Sequence, residues 1–158
     1  KIYYGDHLTF ENMDIWSPDL APYNSITGTV ATLEPSLVQV SSDGTAYWSR
    51  PGSMDVMCRF SGLVAFPYDE LSCKVEVGGW ILSDGFQGIY PMNGGYSFAK
   101  EATSRPSYQE SIITKVEFDY SPGFIYDCCP NEGWPLLTYT IYLDRSYSYY
   151  VFVSIAPS

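Results

Sequence analysis

Apolar and polar residues alternate along this chain in short runs that glycine and proline repeatedly interrupt. Cys73-Lys-Val-Glu-Val77 changes character at every step, and Ile113-Thr-Lys-Val-Glu-Phe118 behaves similarly. Successive strand side chains point to opposite faces, so a period of two predicts half-buried β-strands. Leu137-Thr-Tyr-Thr-Ile-Tyr-Leu143 is rich in β-branched and aromatic residues, which suit the pleated surface of a sheet. Leu37-Val-Gln-Val40 and Thr45-Ala-Tyr-Trp48 flank Asp43-Gly44, which predicts a tight hairpin. A further strand is predicted from Val56 to Val64. The punctuation between these runs, including Pro51-Gly52, Gly94-Gly95 and Pro122-Gly123, leaves little room for long helices. The expected fold is all-β, an antiparallel β-sandwich, with residues 1–158 forming one domain. No internal repeat, low-complexity tract or linker interrupts it.

Composition narrows this picture. A length of 158 residues suits one domain with its own core, and a hydrophobic content of 46% excludes a disordered chain. Aromatic residues make up 17%, with 15 Tyr and 4 Trp; such residues favour strands and also binding surfaces. Eight basic against eighteen acidic residues give a net charge of −10. Nucleic acid is excluded as a partner, because phosphates need a basic patch. A cation is attracted instead, although acidity also serves solubility alone. No run of about 18 apolar residues crosses a membrane. The last stretch, Tyr149 to Pro157, is apolar but short, so the chain reads as soluble or as leading into a membrane segment. Lys1-Ile-Tyr-Tyr-Gly5 carries no start signal and reads as entry partway through a domain.

Four cysteines allow three pairings, and Cys58–Cys73 with Cys128–Cys129 keeps both bridges local. Disulfides imply an extracellular setting, although no Asn-x-Ser/Thr glycosylation sequence supports secretion. A Cys58–Cys73 bridge closes a modest loop, worth about 3 kcal/mol in the chain-entropy view. Inside it, Phe66-Pro67-Tyr68-Asp69 is a turn with two aromatic residues and a carboxylate; an ordinary disulfide loop accounts for the spacing equally well. Cys128 and Cys129 are neighbours, with Cα atoms about 3.8 Å apart, below the roughly 4.4–6.8 Å that disulfides prefer. A bridge there stiffens a loop tip; the alternatives are two free thiols or two distant bridges. Enzymatic chemistry has little support. The single histidine is His7, no Gly-x-Ser-x-Gly elbow occurs, no Cys/His set has zinc spacing, and no carboxylate pair stands out. The expectation is a binding protein with no cofactor and no metal.

In order along the chain, several motifs resemble those of nicotinic-type Cys-loop receptors, the pentameric ligand-gated ion channels, and of acetylcholine-binding proteins. Cys58 and Cys73 around Phe66-Pro67-Tyr68-Asp69 resemble the family's Cys-loop. Gly78-Gly-Trp80 resembles its second binding loop. Trp16-Ser-Pro-Asp-Leu-Ala-Pro-Tyr-Asn24 resembles the first, and Tyr126-Asp-Cys-Cys-Pro130 the third. Asp144-Arg145, Tyr149-Tyr150 and the ending Ala156-Pro157 resemble the strand that enters the first transmembrane helix.

The resemblance implies an extracellular domain that binds a small cationic, acetylcholine-like ligand at an interface between subunits of a homo- or hetero-pentamer. Tyr23, Trp80, Tyr126 and Trp134 would form an aromatic box, closed by the Cys128–Cys129 loop. Gln39, Tyr47 and Ser49 on the Asp43-Gly44 hairpin would supply the complementary face from a neighbour. Phe66, Pro67, Tyr68, Asp69 and Arg145 would couple ligand capture to a pore reached through a missing C-terminal region. The location implied is the extracellular side of the cell membrane, with a secreted binding protein or a structural sandwich that has lost the ligand as alternatives. Four departures stand out. The Cys58–Cys73 loop is one residue longer than the family's, and an extra residue flips strand register unless a bulge absorbs it. Leu71 replaces a Gln. Glu76 replaces a Lys and Leu136 replaces its partner Asp, which breaks the usual relay from binding loop to gate. The family's first helix and first strands have no counterpart in this reading, which implies a domain truncated at its N-terminus.

Overall fold

The computed structural model describes residues 2–4, 7–10, 15–27, 34–60, 63–97, 107–108, 111–147 and 150–152. Two antiparallel sheets make up the all-β sandwich. The first has four strands: β1 (Ile2–Tyr4), β2 (His7–Phe10), β4 (Val38–Ser41) and β5 (Ala46–Tyr47), in the order β1-β2-β4-β5. The second comprises β3 (Ala21–Pro22), β6 (Glu70–Gly78), β7 (Ser107–Tyr108), β8 (Ser111–Phe124) and β9 (Trp134–Arg145), in the order β3-β6-β9-β8-β7.

The long strands are where alternation is strongest. Leu71 and Cys73 of β6 are buried while Glu70, Ser72 and Lys74 are exposed. β6 pairs with β9 without a break from Glu70↔Asp144 to Gly78↔Leu136. The extra residue of the Cys58–Cys73 loop therefore disturbs no register in β6. Upstream of β6, Leu63–Ala65 forms one turn of 3-10 helix. β8 and β9 carry two register shifts, at Ile113/Lys115 and Ser121/Phe124. The buried apolar residues described are Val38, Leu71, Cys73, Ile89, Leu136, Leu137 and Leu143, with Pro135 fully enclosed. All but Val38 and Ile89 lie in β6 and β9.

The predicted hairpin is present as β4–β5. Gly44 has a positive φ of 89°, and the Asp43 carboxylate accepts the Thr45 amide at 2.9 Å, which is the local chemistry such a turn requires. The strand predicted from Val56 to Val64 does not form. Val56 makes a single bridge to Ser25. Asn24 then occupies the next backbone groups: its carbonyl accepts the Met57 amide at 2.8 Å and its side-chain nitrogen donates to the Met57 carbonyl at 3.1 Å. Those apolar residues serve a disulfide loop rather than a sheet face, and Val64 is fully exposed. The edge of β6 is covered by β3 instead. β1 and β2 arise from a segment in which the pattern signalled no strand.

The Cys58–Cys73 disulfide is formed, with Cα atoms 5.0 Å apart. Its loop contains a cis Phe66–Pro67 peptide and ends on Asp69, which is buried. Arg145 at the end of β9 meets Asp69 with two parallel hydrogen bonds, Nε to Oδ1 at 3.0 Å and Nη2 to Oδ2 at 3.1 Å. Bidentate pairing of this kind is the strongest ionic geometry available to arginine. The Arg145 guanidinium holds the Asp69 carboxyl below its ordinary range. Phe66 packs edge-on against Tyr150 with ring centres 4.8 Å apart, Tyr68 lies 5.2 Å from Tyr147, and Arg145 sits over Phe66. The turn and the chain following β9 are thus joined by rings and one ion pair.

Candidate ligand-binding site

At the opposite end of β6 the strand runs into Gly78-Gly79-Trp80, and an open cavity of about 1080 Å³ lies there. Tyr23, Trp80, Tyr126 and Trp134 all line it, together with Cys128 and Cys129. The four aromatic residues predicted to converge do so. The Tyr23 ring stands between two others, 6.1 Å from Trp80 and 6.3 Å from Tyr126, both edge-to-face. Phe124, which had not been singled out, backs Tyr126 at 4.7 Å. In each such contact the positive edge of one ring meets the negative face of the other.

Each wall has a sequence reason for its place. Tyr23 follows β3, and its amide donates to the Glu76 carbonyl at 2.8 Å. Its phenol donates to the Gly79 carbonyl at 2.6 Å. A Cβ on Gly78 would lie 2.5 Å from the Tyr23 hydroxyl and 2.8 Å from the Pro135 carbonyl, so only glycine lets Tyr23 and β9 approach there. Burial, then the neighbouring Tyr126 phenol, raises the Tyr23 pKa further above its ordinary value; the phenol stays neutral and keeps its donor. Asn24 donates to the Lys74 carbonyl at 2.6 Å, tying the first loop to β6.

Trp80 is held by its backbone. The Asp19 carboxylate accepts three consecutive amides through Oδ2: Trp80 at 2.9 Å, Ile81, and Leu82 at 3.0 Å. Trp80 as a whole is 68% exposed, so packing alone does not fix it. Asp19 lay within the first-loop motif and could have been found from it. Gln87, which bonds to Asp19 on both sides, bore no signal at all.

The fourth wall comes from the β8–β9 hairpin. Residues 125–133 turn over the cavity, with the Cys129 amide bonded to the Tyr126 carbonyl at 3.0 Å. Asp84, four residues after Trp80, donates its amide to the Gly133 carbonyl at 2.9 Å, linking the Trp80 loop to the hairpin neck. Trp134 opens β9 opposite Phe124. Cys128 and Cys129 sit side by side at the loop tip, unbonded in this structure, with their sulfurs 2.7 Å apart. The short Cα spacing of adjacent residues opposes closure of a disulfide ring between them. The Cys128 sulfur and burial both push the Cys129 thiol up.

The lining also includes three acidic residues, Glu76, Asp119 and Asp127, together with Lys74 and the apolar Leu136. Among the described residues no His, Cys, Asp or Glu cluster suits a metal ion. Gln39, Tyr47 and Ser49 do not line this cavity; they are exposed on and beside β4 and β5 in the other sheet. Among the described residues no helix is long and apolar enough to cross a membrane.

Comparison with known proteins adds an independent finding. The sequence profile of the neurotransmitter-gated ion-channel ligand binding domain matches residues 3–147. The chain is 31% identical over 161 residues to acetylcholine receptor subunit alpha-type acr-16 of Caenorhabditis elegans, covering 99% of this chain and 30% of that protein. The Caenorhabditis briggsae counterpart is 31% identical over 146 residues, covering 90% and 27%. Acetylcholine receptor subunit alpha-1-A of Xenopus laevis is 26% identical over 144 residues, covering 91% and 30%. The chain thus spans under a third of the length of these relatives.

Proposed function

This chain belongs to the neurotransmitter-gated ion-channel ligand binding domain family, a family of receptor domains and not of enzymes, and from that premise we propose that it captures a small cationic ligand in the cavity beside Trp80. One observation carries the reading: Tyr23 stands between Trp80 and Tyr126 in a cavity whose other walls include Glu76, Asp119 and Asp127. Aromatic faces carry negative quadrupoles, and a desolvated cation–π contact is worth about 2 kcal/mol or more. The carboxylates raise the local concentration of cations. Acetylcholine is the natural first ligand to try, since the relatives are acetylcholine receptor subunits.

The finer proposal follows the family. The Cys128–Cys129 loop closes over the ligand, bridged or as thiols. A neighbouring subunit of a pentamer brings Gln39, Tyr47 and Ser49 to the open side. Phe66, Pro67, Tyr68 and Asp69, linked to Arg145, pass the closure to a membrane pore. A ligand shifts such a gate only by its differential affinity for the two states. The domain then lies on the extracellular side of the cell membrane. A second reading, a soluble binding protein of the same fold, draws support from Glu76 and Leu136: an acidic and an apolar side chain line the cavity where the family's relay would need a Lys and an Asp.

Calorimetric titration of the assembled protein with acetylcholine and nicotine, beside Trp80→Ala, tests the proposal. Saturable binding lost in the variant is expected. A folded oligomer that takes up neither ligand at millimolar concentration contradicts it.

A further inference from the structure

We infer that Gln87 is a positioning residue for the site, acting through Asp19 to set the turn that carries Trp80; this rests on the cation-binding reading above. Gln87 is one of the few buried polar side chains described, at 5% exposure. It does not line the cavity, so any effect on ligand must be indirect.

Its carboxamide pairs with the Asp19 backbone as one peptide pairs with another. The Asp19 amide donates to Oε1 at 3.1 Å, and Nε2 donates to the Asp19 carbonyl at 2.9 Å. The second Nε2 hydrogen reaches the Leu82 carbonyl at 3.3 Å. Because Asp19 offers one donor and one acceptor, only one orientation of the carboxamide satisfies both. Gln87 is itself anchored, its amide donating to the Ser83 carbonyl at 3.1 Å. One planar head group therefore grips both sides of residue 19 and the far end of the 80–82 turn.

The consequence is geometric. With the Asp19 backbone fixed, its carboxylate is aimed at the three amides of residues 80–82. The close fit requires Gly79: a Cβ there would lie 2.5 Å from Gln87 Nε2 and 2.5 Å from the Leu82 carbonyl. Few residues replace this head group. Glutamate has the length and the acceptors but no donor when ionised, asparagine is one methylene short, and methionine has neither function.

The test compares the assembled wild-type protein with Gln87→Glu and Gln87→Met. Acetylcholine is the probe, at about pH 8 and about pH 5.5, with affinity expressed per folded molecule. Both variants are expected to bind roughly ten-fold more weakly at the higher pH. Burial at this position favours the neutral acid of an introduced glutamate. Its hydroxyl then donates where Nε2 did, so Gln87→Glu recovers toward wild type as the pH falls while Gln87→Met does not. A role in stability alone would lower the folded fraction without this pH-dependent recovery. Amide hydrogen exchange at residues 80–82, measured without ligand, is expected to be faster than wild type in both variants at the higher pH. Wild-type affinity and wild-type exchange in both variants would overturn the inference. A wild type that takes up no acetylcholine would sink the cation reading, and the exchange measurement then decides the positioning of the turn by itself.

Discussion

The two ends of strand β6 handle charge in opposite ways. At the Glu70 end, the Asp69 carboxylate is buried and bound bidentately by Arg145. At the Gly78 end, Glu76, Asp119 and Asp127 line an open cavity with Lys74 beside them, and the carboxylate of Asp19 is engaged by backbone amides instead of a cation. Asp69 and Glu76 stand seven positions apart along this segment, about 23 Å at 3.3 Å per residue. One end uses charge to hold the chain together. The other sets carboxylates and aromatic rings around an open cavity. A buried pair adds little to stability overall, yet breaking it is costly because the remaining charge has no partner.

Substitution at the paired end should have the largest effect. Asp69→Asn leaves the Arg145 guanidinium largely buried without its counter-ion, an expected loss of about 3 kcal/mol of folding stability by chemical denaturation, with ligand affinity of the folded protein little changed. The pH dependence has a definite sign. The Asp69 pKa is lowered on folding by Arg145, so its contribution is complete above the ordinary carboxylate range. It is lost as pH falls below about 4 toward the depressed folded value. Asp69→Asn should flatten that acid limb.

Asp19→Ala comes next and acts at the other end. It removes the acceptor of three amides, costing roughly 2 kcal/mol of stability. Because it also frees the Trp80 turn, it should weaken ligand binding by at least about ten-fold. A variant that loses stability but binds normally would erase the contrast between the two ends. The smallest effect is expected for Glu76→Gln. A carboxylate near a cation in a solvent-filled site is worth about 1 kcal/mol, so affinity should fall a few-fold, stability should hold, and the difference should shrink in high salt.

Much of this could be read from the chain because strong periodicity and short-range chemistry leave local traces. Alternation marked β6 and β8, β-branched and aromatic content marked β9, Asp43-Gly44 marked the β4–β5 turn, and the order of motifs brought Tyr23, Trp80, Tyr126 and Trp134 to one cavity. The failures have physical causes. Val56–Val64 has strand composition, but Asn24 and the Cys58–Cys73 disulfide take over its backbone and ends. Gln87 and Asp19 lie 68 positions apart, and a single polar pairing at that range leaves no periodic signature.

The central claim is that a cation rests against the Trp80 ring. It is tested most directly by replacing Trp80 with tryptophans bearing increasing numbers of ring fluorines, which reduce the negative face of the indole while nearly preserving its shape. The account predicts acetylcholine affinity that falls stepwise with each fluorine. Affinity indifferent to fluorination would contradict it.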